Sequence, residues 1–122
     1  MTLNINTTPE RYFHQLVEVF RIMDPFINLR KRQREVFAEI LYYNHKLSAK
    51  DPEIANRLLN DAITKEEIAG KLGITKANLY NIYKELRQFG FLTKDGINPK
   101  YKFKYLHYPE ITFRFQDKDS IQ

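Results

Sequence analysis

Hydrophobic residues recur every three or four positions along the first half of the chain and predict three amphipathic helices. The first begins at Thr8-Pro9, with the threonine as cap and proline in the first turn, and stops at Asp24-Pro25. The second covers about residues 29–44, residues 44–50 form a loop, and Asp51-Pro52 starts the third. Their apolar positions are, in chain order, Tyr12, Leu16, Val19, Phe20 and Met23, then Val36, Phe37, Ile40, Leu41 and Tyr43, then Ile54, Leu58, Leu59 and Ala62.

Two further helices are predicted on either side of Gly73. Thr64 with Glu67 three residues later fits a capping box, and the helix that follows has Ile68, Ala69 and Leu72 on its apolar side. Gly73 stands where the helix ends, and glycine enters the left-handed conformation without a side-chain clash. Thr75 then caps a second helix that runs to Phe89, with Leu79, Ile82, Leu86 and Phe89 on one side. Two helices joined by so short a turn have the geometry of a helix-turn-helix.

The rest of the chain is predicted to form short β-strands. Gly90 ends the second helix, residues 91–94 form a strand, and Asp95-Gly96 signals a two-residue hairpin. The chain returns over residues 97–104, where Pro99 restricts the strand to a sheet edge. A C-terminal strand is predicted from the alternating Ile111, Phe113 and Phe115. The predicted fold class is therefore mostly α with a small β-hairpin (α+β).

Seven residues resemble the helix-turn-helix signature in their type and spacing: Ile68, Ala69, Leu72, Gly73, Ile74, Leu79 and Ile82. With the hairpin, the chain resembles a winged helix-turn-helix domain. The segments 89–92 and 97–101 resemble, more narrowly, the corresponding segments of winged-helix replication initiators of small plasmids and similar phage proteins. An ordinary helical hairpin is the alternative. We therefore divide the chain into an N-terminal helix for packing or oligomerisation (1–28), a winged helix-turn-helix domain (29–106) and a C-terminal strand and tail (107–122). The winged-helix family does not require this last strand.

Composition narrows the class of protein. The 122 residues suffice for one domain. The absence of cysteine excludes disulfides, thiolate zinc sites and cysteine nucleophiles. No apolar run approaches the roughly 20 residues needed to span a bilayer, and the N-terminus lacks the pattern of a signal peptide. We therefore expect no membrane partner and a cytoplasmic location, or the host cytoplasm or virion if the protein is viral.

Positive charge is concentrated in one part of the chain. Residues 65–104 hold nine lysines and arginines against four acidic residues, which equals the whole net charge of +5. Such a cluster is typical of a nucleic-acid surface, and a solvated lysine-rich face is the alternative. A second basic group, Arg30, Lys31, Arg32 and Arg34, opposes the dipole of its helix. The sequence does not decide whether this basic group contacts phosphate, binds an acidic partner or is only solvated.

A helical wheel with Ile82 facing the core places six residues on the outer side of the second helix: Lys76, Ala77, Tyr80, Asn81, Lys84 and Arg87. In the motif it resembles, the N-terminal half of this helix enters the major groove. Asn81 would then read an adenine edge, Lys76 a guanine or phosphate, and Ala77 a thymine methyl. Phosphate contacts are expected from Lys84 and Arg87, from the backbone N–H groups of Thr64 and Lys65, and from a wing carrying Lys94, Lys100 and Lys102. Solvation is the alternative for each.

Catalytic patterns are missing from the sequence. His14, His45 and His107 lack metal-ligand spacing, and there is no phosphate loop or serine elbow, so we expect neither an enzyme nor a metal or cofactor. One remaining hypothesis is a transcriptional regulator or replication initiator that binds double-stranded DNA. The other is a phage-type structural or assembly protein, a packaging or head–tail component, that uses the winged-helix fold for protein contacts. The aromatic N-terminal helix and the C-terminal strand favour self-association or docking of a viral assembly partner.

Overall fold

Five α-helices and one short β-hairpin form the part of the protein that the computed structural model describes, residues 7–105 without the side chains of residues 52, 53 and 56. The elements are α1 (Pro9–Phe20), a 3-10 helix (Phe26–Asn28), α2 (Lys31–Ser48), α3 (Pro52–Leu59), α4 (Ala62–Leu72), α5 (Lys76–Gln88), β1 (Leu92–Thr93), β2 (Gly96–Ile97) and a second 3-10 helix (Pro99–Tyr101). β1 and β2 are antiparallel. A mostly helical fold with a small hairpin is confirmed. The predicted C-terminal strand at Ile111, Phe113 and Phe115 lies outside the described residues.

The central element is α2, which contacts α1, α3, α4 and α5. Its predicted apolar positions, Val36, Phe37, Ile40, Leu41 and Tyr43, are all buried. Phe13 and Val17 of α1 belong to the same core as Leu79 and Leu86 of α5. The N-terminal helix therefore packs into the core that supports the helices around Gly73. Within residues 7–105, no helix has both the length and the apolar character needed to cross a bilayer.

An aromatic cluster fixes the hairpin to the helices. The ring of Phe91, which follows α5, lies 4.9 Å from Phe26 and 5.1 Å from Phe37 between ring centroids. Phe103 stacks on Phe20 at 5.3 Å, so the segment after the hairpin returns to the end of α1. Large aromatic side chains bury much apolar surface and restrict one another's orientation. The cluster thus holds three chain segments that are distant in sequence.

The turn between α4 and α5 has the predicted conformation. Gly73 has φ of +66°, in the left-handed region. The Ile74 N–H donates to the Ala69 carbonyl at 3.1 Å and the Gly73 N–H to Gly70 at 3.4 Å, the Schellman pattern. Thr75 then caps α5, its hydroxyl accepting from the Asn78 N–H at 3.2 Å. The predicted ending of one helix and start of the next are confirmed.

The start of α4 differs from the prediction. Asp61 is the cap, and its carboxylate accepts from the Ile63 N–H at 3.4 Å. The capping box of Thr64 with Glu67 is therefore wrong, and Thr64 is a buried residue inside the helix. An aspartate at the cap also complements the positive end of the helix dipole, which a threonine does not. The helix consequently begins two residues before the predicted cap.

The end of α2 is also displaced, because tertiary burial extends the helix. Residues 44–48, predicted as the start of a loop, continue α2 to Ser48. Asn44 is buried, and Leu47 packs against the core. Packing of an apolar face stabilises helices more than local propensity does.

In several helices the buried residues differ from those predicted to be apolar and inward-facing. On α1 the buried residues are Tyr12, Phe13 and Val17, whereas Val19 and Met23 are exposed. The helix stops at Phe20, so Met23 lies in the following turn and does not continue its buried stripe.

Similar corrections apply to α3 and α5. In α3, Ala55 and the predicted Leu59 are buried, whereas Ile54 is exposed, and the predicted Ala62 belongs to α4. In α5, Tyr83 is buried and Phe89, the C-terminal cap residue, is exposed. Phe89 stands where the chain leaves the helix, since Gly90 follows with φ of +86°.

The hairpin is shorter than predicted. Leu92 pairs with Ile97 and Thr93 with Gly96, so the two turn residues are Lys94-Asp95 and not Asp95-Gly96. Gly96 is a strand residue with φ of +138°, a conformation that other residues rarely adopt.

The return strand predicted over residues 97–104 is wrong beyond Ile97. Asn98 instead caps a 3-10 helix by accepting from the Lys100 N–H at 3.1 Å, and Pro99 occupies the first position of that helix. Proline has no N–H to donate to a ladder, so the sheet ends before it.

A buried carboxylate joins three helices. Glu39 of α2 is 2% exposed, and its side chain lies 2.8 Å from His14 Nε2 of α1 and 3.1 Å from Lys71 Nζ of α4. Lys71 also reaches Glu10 at 2.5 Å. Burial by itself would raise the pKa of Glu39, but the hydrogen bonds from His14 and Lys71 outweigh it and hold the pKa below its ordinary value. The charged form of Glu39 therefore stabilises the folded state.

Replacing Glu39 should lower stability in a pH-dependent way. We expect Glu39→Gln to lower the free energy of unfolding by about 1–3 kcal/mol at neutral pH, because two donors lose a charged acceptor. A depressed folded-state pKa contributes stability that is present above the ordinary value of 4.5 and lost as pH falls through the lowered value. The difference between wild type and variant, measured by urea unfolding, should therefore shrink on acidification.

The control is Glu66→Gln, which removes an exposed pairing with Lys76 at 3.4 Å. Exposed pairs contribute little, so this variant should match the wild type. A Glu39→Gln protein as stable as Glu66→Gln at every pH would contradict the role assigned to Glu39.

Substitution of Gly70, inside α4, and of Gly73, at its end, should change the stability of the protein in opposite directions. A Cβ at Gly73 would touch nothing within 4 Å, so only the backbone conformation opposes substitution. Gly73→Val should cost about 1–3 kcal/mol, since a β-branched residue is strained at positive φ. Gly70 is an open position inside α4, and Gly70→Ala should stabilise by about 0.5–1 kcal/mol. Thermal unfolding followed by circular dichroism measures both, and an unchanged Gly73→Val protein would contradict the turn.

Candidate nucleic-acid interface

The outer face of α5 is polar and exposed. All six residues predicted to face outward are exposed: Lys76, Ala77, Tyr80, Asn81, Lys84 and Arg87. Leu79, Ile82, Tyr83 and Leu86 form the buried side. The caps at Thr75 and Phe89 fix the ends of the helix, so its outer face is presented on a rigid element.

The acidic residue of α5 is turned away from this face. Glu85 accepts from Arg30 Nη2 at 2.7 Å and from the side-chain amide of Gln33, both at the start of α2. No other acidic residue occurs between Lys76 and Gln88. The cations of the outer face are therefore not neutralised by a carboxylate of their own helix.

Lys65 extends the basic surface from α4 to α5. Its ammonium nitrogen lies 4.9 Å from the ring centroid of Tyr80 and 5.0 Å from that of Tyr83. Burial lowers the pKa of Lys65, and the nearby Arg87 lowers it further. Neither cation has an ion-pair partner among residues 7–105. Two neighbouring cations without a carboxylate repel each other, and an anion between them would relieve that repulsion.

The sequence pattern does not single out Tyr83, because its spacing fits the buried side of α5. Its side chain is 2% exposed, and its hydroxyl has no hydrogen-bond partner in the part of the chain that the structure describes. Burial raises the pKa of Tyr83, so the phenol is neutral. The ring provides one of the two aromatic faces that carry Lys65, and an aromatic residue one turn after Tyr80 was the available signal.

The start of α4 does not offer the predicted backbone site. Thr64 is buried, and the Lys65 N–H already donates to the Asp61 carbonyl at 3.1 Å. Because Asp61 caps the helix, its carboxylate also occupies the position that an anion would take. The prediction that the backbone N–H of Lys65 holds phosphate is therefore wrong. The Lys65 side chain is the group that reaches the surface of α5.

The hairpin lysines are not equivalent. Lys94 is exposed in the turn between β1 and β2, and β1 contacts α5. Lys100 and Lys102 lie beyond β2, in and after the second 3-10 helix. Lys100 is exposed, and Lys102 is half-buried. Lys94 is thus the predicted wing residue that the hairpin itself carries.

The three arginines of the basic group at the start of α2 have intramolecular partners. Arg34 bonds Glu18 of α1 at 2.9 Å and the Leu29 carbonyl at 2.8 Å. Arg32 donates to the Leu72 carbonyl at the end of α4 at 3.0 Å. With the Arg30–Glu85 pair, these arginines fasten α2 to α1, α4 and α5. Their role in the fold accounts for their position without a phosphate contact.

Two clefts are open elsewhere on the described surface. One, of about 460 Å³, lies beside Glu39, His14 and Lys71. The other, of about 550 Å³, lies between the end of α2 and residues 99–105, and it is lined in part by Lys102 and Tyr105. No group of three or more His, Asp or Glu side chains within residues 7–105 is arranged to bind a metal ion. Comparison of the chain with protein-family models, with curated proteins and with solved structures finds no match.

Proposed function

We propose that this protein binds duplex DNA as a winged helix-turn-helix protein, a transcriptional regulator or a replication initiator. In this proposal α4, Gly73 and α5 form the helix-turn-helix, and the β1–β2 hairpin is a short wing. The observation that carries it is the outer face of α5 with Lys65. On this surface Lys65, Lys84 and Arg87 lack a carboxylate partner within residues 7–105, and Lys76 has only the exposed Glu66. The acidic residue of the helix, Glu85, is bonded to Arg30.

Base reading is assigned to the first half of α5. The Asn81 amide makes no hydrogen bond within residues 7–105, and an exposed amide of this kind can pair with the adenine edge in the major groove. Ala77, with its small side chain, lets the helix approach the bases. Lys76 has a long flexible side chain, and its ion pair with Glu66 at 3.4 Å is exposed, so a base or a phosphate can replace it. These residues lie in the part of the helix that enters the groove in this motif.

Phosphate binding is assigned to the cations around the reading face. Lys84 and Arg87 follow Asn81 along α5, and Lys65 stands beside Arg87. Phosphates on both sides of the groove would neutralise these charges and remove the repulsion between Lys65 and Arg87. Such contacts position the helix without reading sequence. Lys94 on the hairpin turn would contact the neighbouring backbone.

A role in phage assembly, as a packaging or head–tail component, is the second candidate. It is favoured by the large apolar side chains exposed just after α1, which suit contact with protein. Duplex binding separates the two candidates, because a purely structural component does not need an unpaired cationic helix face.

Binding to duplex DNA should depend steeply on salt. We expect measurable affinity for a mixture of genomic fragments at about 50 mM salt, falling sharply by about 200 mM, because neutralised phosphates release counterions. Fluorescence anisotropy with labelled duplexes measures this slope. A protein without detectable affinity at the lower salt concentration would contradict DNA binding and leave the assembly role.

Asn81 and Lys84 should have separable effects. Asn81→Ala should reduce discrimination between a selected site and random duplex by about 1–3 kcal/mol. Lys84→Ala should weaken both duplexes equally and lower the salt slope, since it removes a phosphate contact. Gln88→Ala, an exposed change at the end of the same helix, is the control and should alter neither.

The comparison requires a site selected from a random duplex pool by the wild-type protein. Equal losses on selected and random duplex for Asn81→Ala would contradict base reading by Asn81. A control variant that loses affinity to the same extent would show that the helix, and not one side chain, had been perturbed.

A further inference from the structure

A row of apolar side chains is exposed at the corner between α1 and the first 3-10 helix. It consists of Val19, Ile22, Met23 and Ile27, hereafter the corner row. Ile22 is 71% exposed and Ile27 57%. Scattered exposed residues are ordinary, but four within nine positions form a concentrated patch. Patches of this kind mark surfaces that contact another macromolecule.

The corner row is held on an ordered support. The Met23 N–H donates to the Phe20 carbonyl and the Ile27 N–H to the Met23 carbonyl, both at 2.9 Å. Phe20 and Phe26, which alternate with the row, stack on each other at 5.5 Å and face the core. The aromatic rings occupy the interior, so the row cannot turn inward. It is a preformed surface, which lowers the entropic cost of association.

Charges of both signs border the corner row. Arg21 pairs weakly with Glu18 at 3.7 Å, and Asp24 has no ion-pair partner among residues 7–105. Glu18 is also bonded by Arg34 at 2.9 Å, so with that arginine the charges at the corner sum to zero, although the whole chain has +5. A second copy can therefore approach this corner without the repulsion that the face of α5 would cause. A border of both signs does not suit a strongly charged partner such as nucleic acid.

We propose that the corner row is the contact between two copies of this chain. In a two-fold arrangement the same patch meets itself, so Arg21 of one copy lies beside Asp24 of the other. The row is small relative to stable dimer interfaces, so the association is weak and depends on concentration. This inference rests on the proposed function in one respect: two copies would present two α5 helices to two half-sites of one duplex.

Sedimentation velocity of the full chain, without DNA, tests the contact. We expect the mass to rise toward twice the 14.7 kDa of the monomer as concentration increases through about 1–100 μM. Ile22→Glu and Ile27→Glu should each weaken association about tenfold or more, since each places a charge in the apolar contact. Ile63→Glu is the matched control, because Ile63 is 65% exposed but lies on α4. It should leave association unchanged.

A charge exchange tests the arrangement more closely. Arg21→Asp and Asp24→Arg should each weaken association several-fold by placing like charges together. The double variant restores opposite charges and should recover most of the lost affinity. Circular dichroism of each variant confirms that it folds.

The outcomes decide the inference without reference to DNA. Association that the corner variants weaken and Ile63→Glu does not would support it. A monomer at every concentration would overturn it and assign the corner row to residues 106–122 or to a different protein. Association insensitive to Ile22→Glu and Ile27→Glu would overturn it in favour of another surface. Failure of DNA binding is measured separately by anisotropy, so the two proposals can fail independently.

Discussion

The left-handed turn at Gly73 is the constraint on which the candidate interface depends. It ends α4 and lets Thr75 start α5 within two residues, so the direction of α5 follows from one backbone conformation. Side chains from other helices secure the end of α4. Lys71 bonds the buried Glu39, and Arg32 donates to the Leu72 carbonyl. A helix end fixed by hydrogen bonds on several sides presents the next helix at a defined angle to the core, and groove recognition needs a preorganised helix.

Charges divide into two groups by their partners. The arginines at the start of α2 are bound to carboxylates and carbonyls of other helices and therefore belong to the fold. Lys65, Lys84 and Arg87 lack such partners in the described part of the chain. Cations kept close together without carboxylates lower the stability of the folded state, and an anionic ligand compensates them. The division by partners shows where the unpaired positive charges lie on the protein, which the net charge alone does not.

The sequence predicted the features that have local causes. The Thr8-Pro9 start, the Gly73 turn, the Thr75 cap and the exposed side of α5 depend on residues within one or two turns, and all are confirmed. Features with distant causes were missed. The extension of α2 to Ser48 depends on burial, and the Glu39 network joins residues from three helices. The predicted hairpin turn was wrong by one residue. Leu92 pairs with Ile97, which places the turn one residue before the Asp95-Gly96 signal.

Amide NMR spectra of the isotopically labelled protein, titrated with a duplex, test the central claim most directly. The account predicts that the shifts which change most belong to α5, to the residues around Lys65 and to the Lys94 turn, because these carry the unpaired cations and the reading face. The changes should diminish when salt is added. Spectra that do not respond to the duplex would contradict DNA binding by this protein. Changes concentrated at Val19, Ile22, Met23 and Ile27 would contradict the assignment of α5 as the interface.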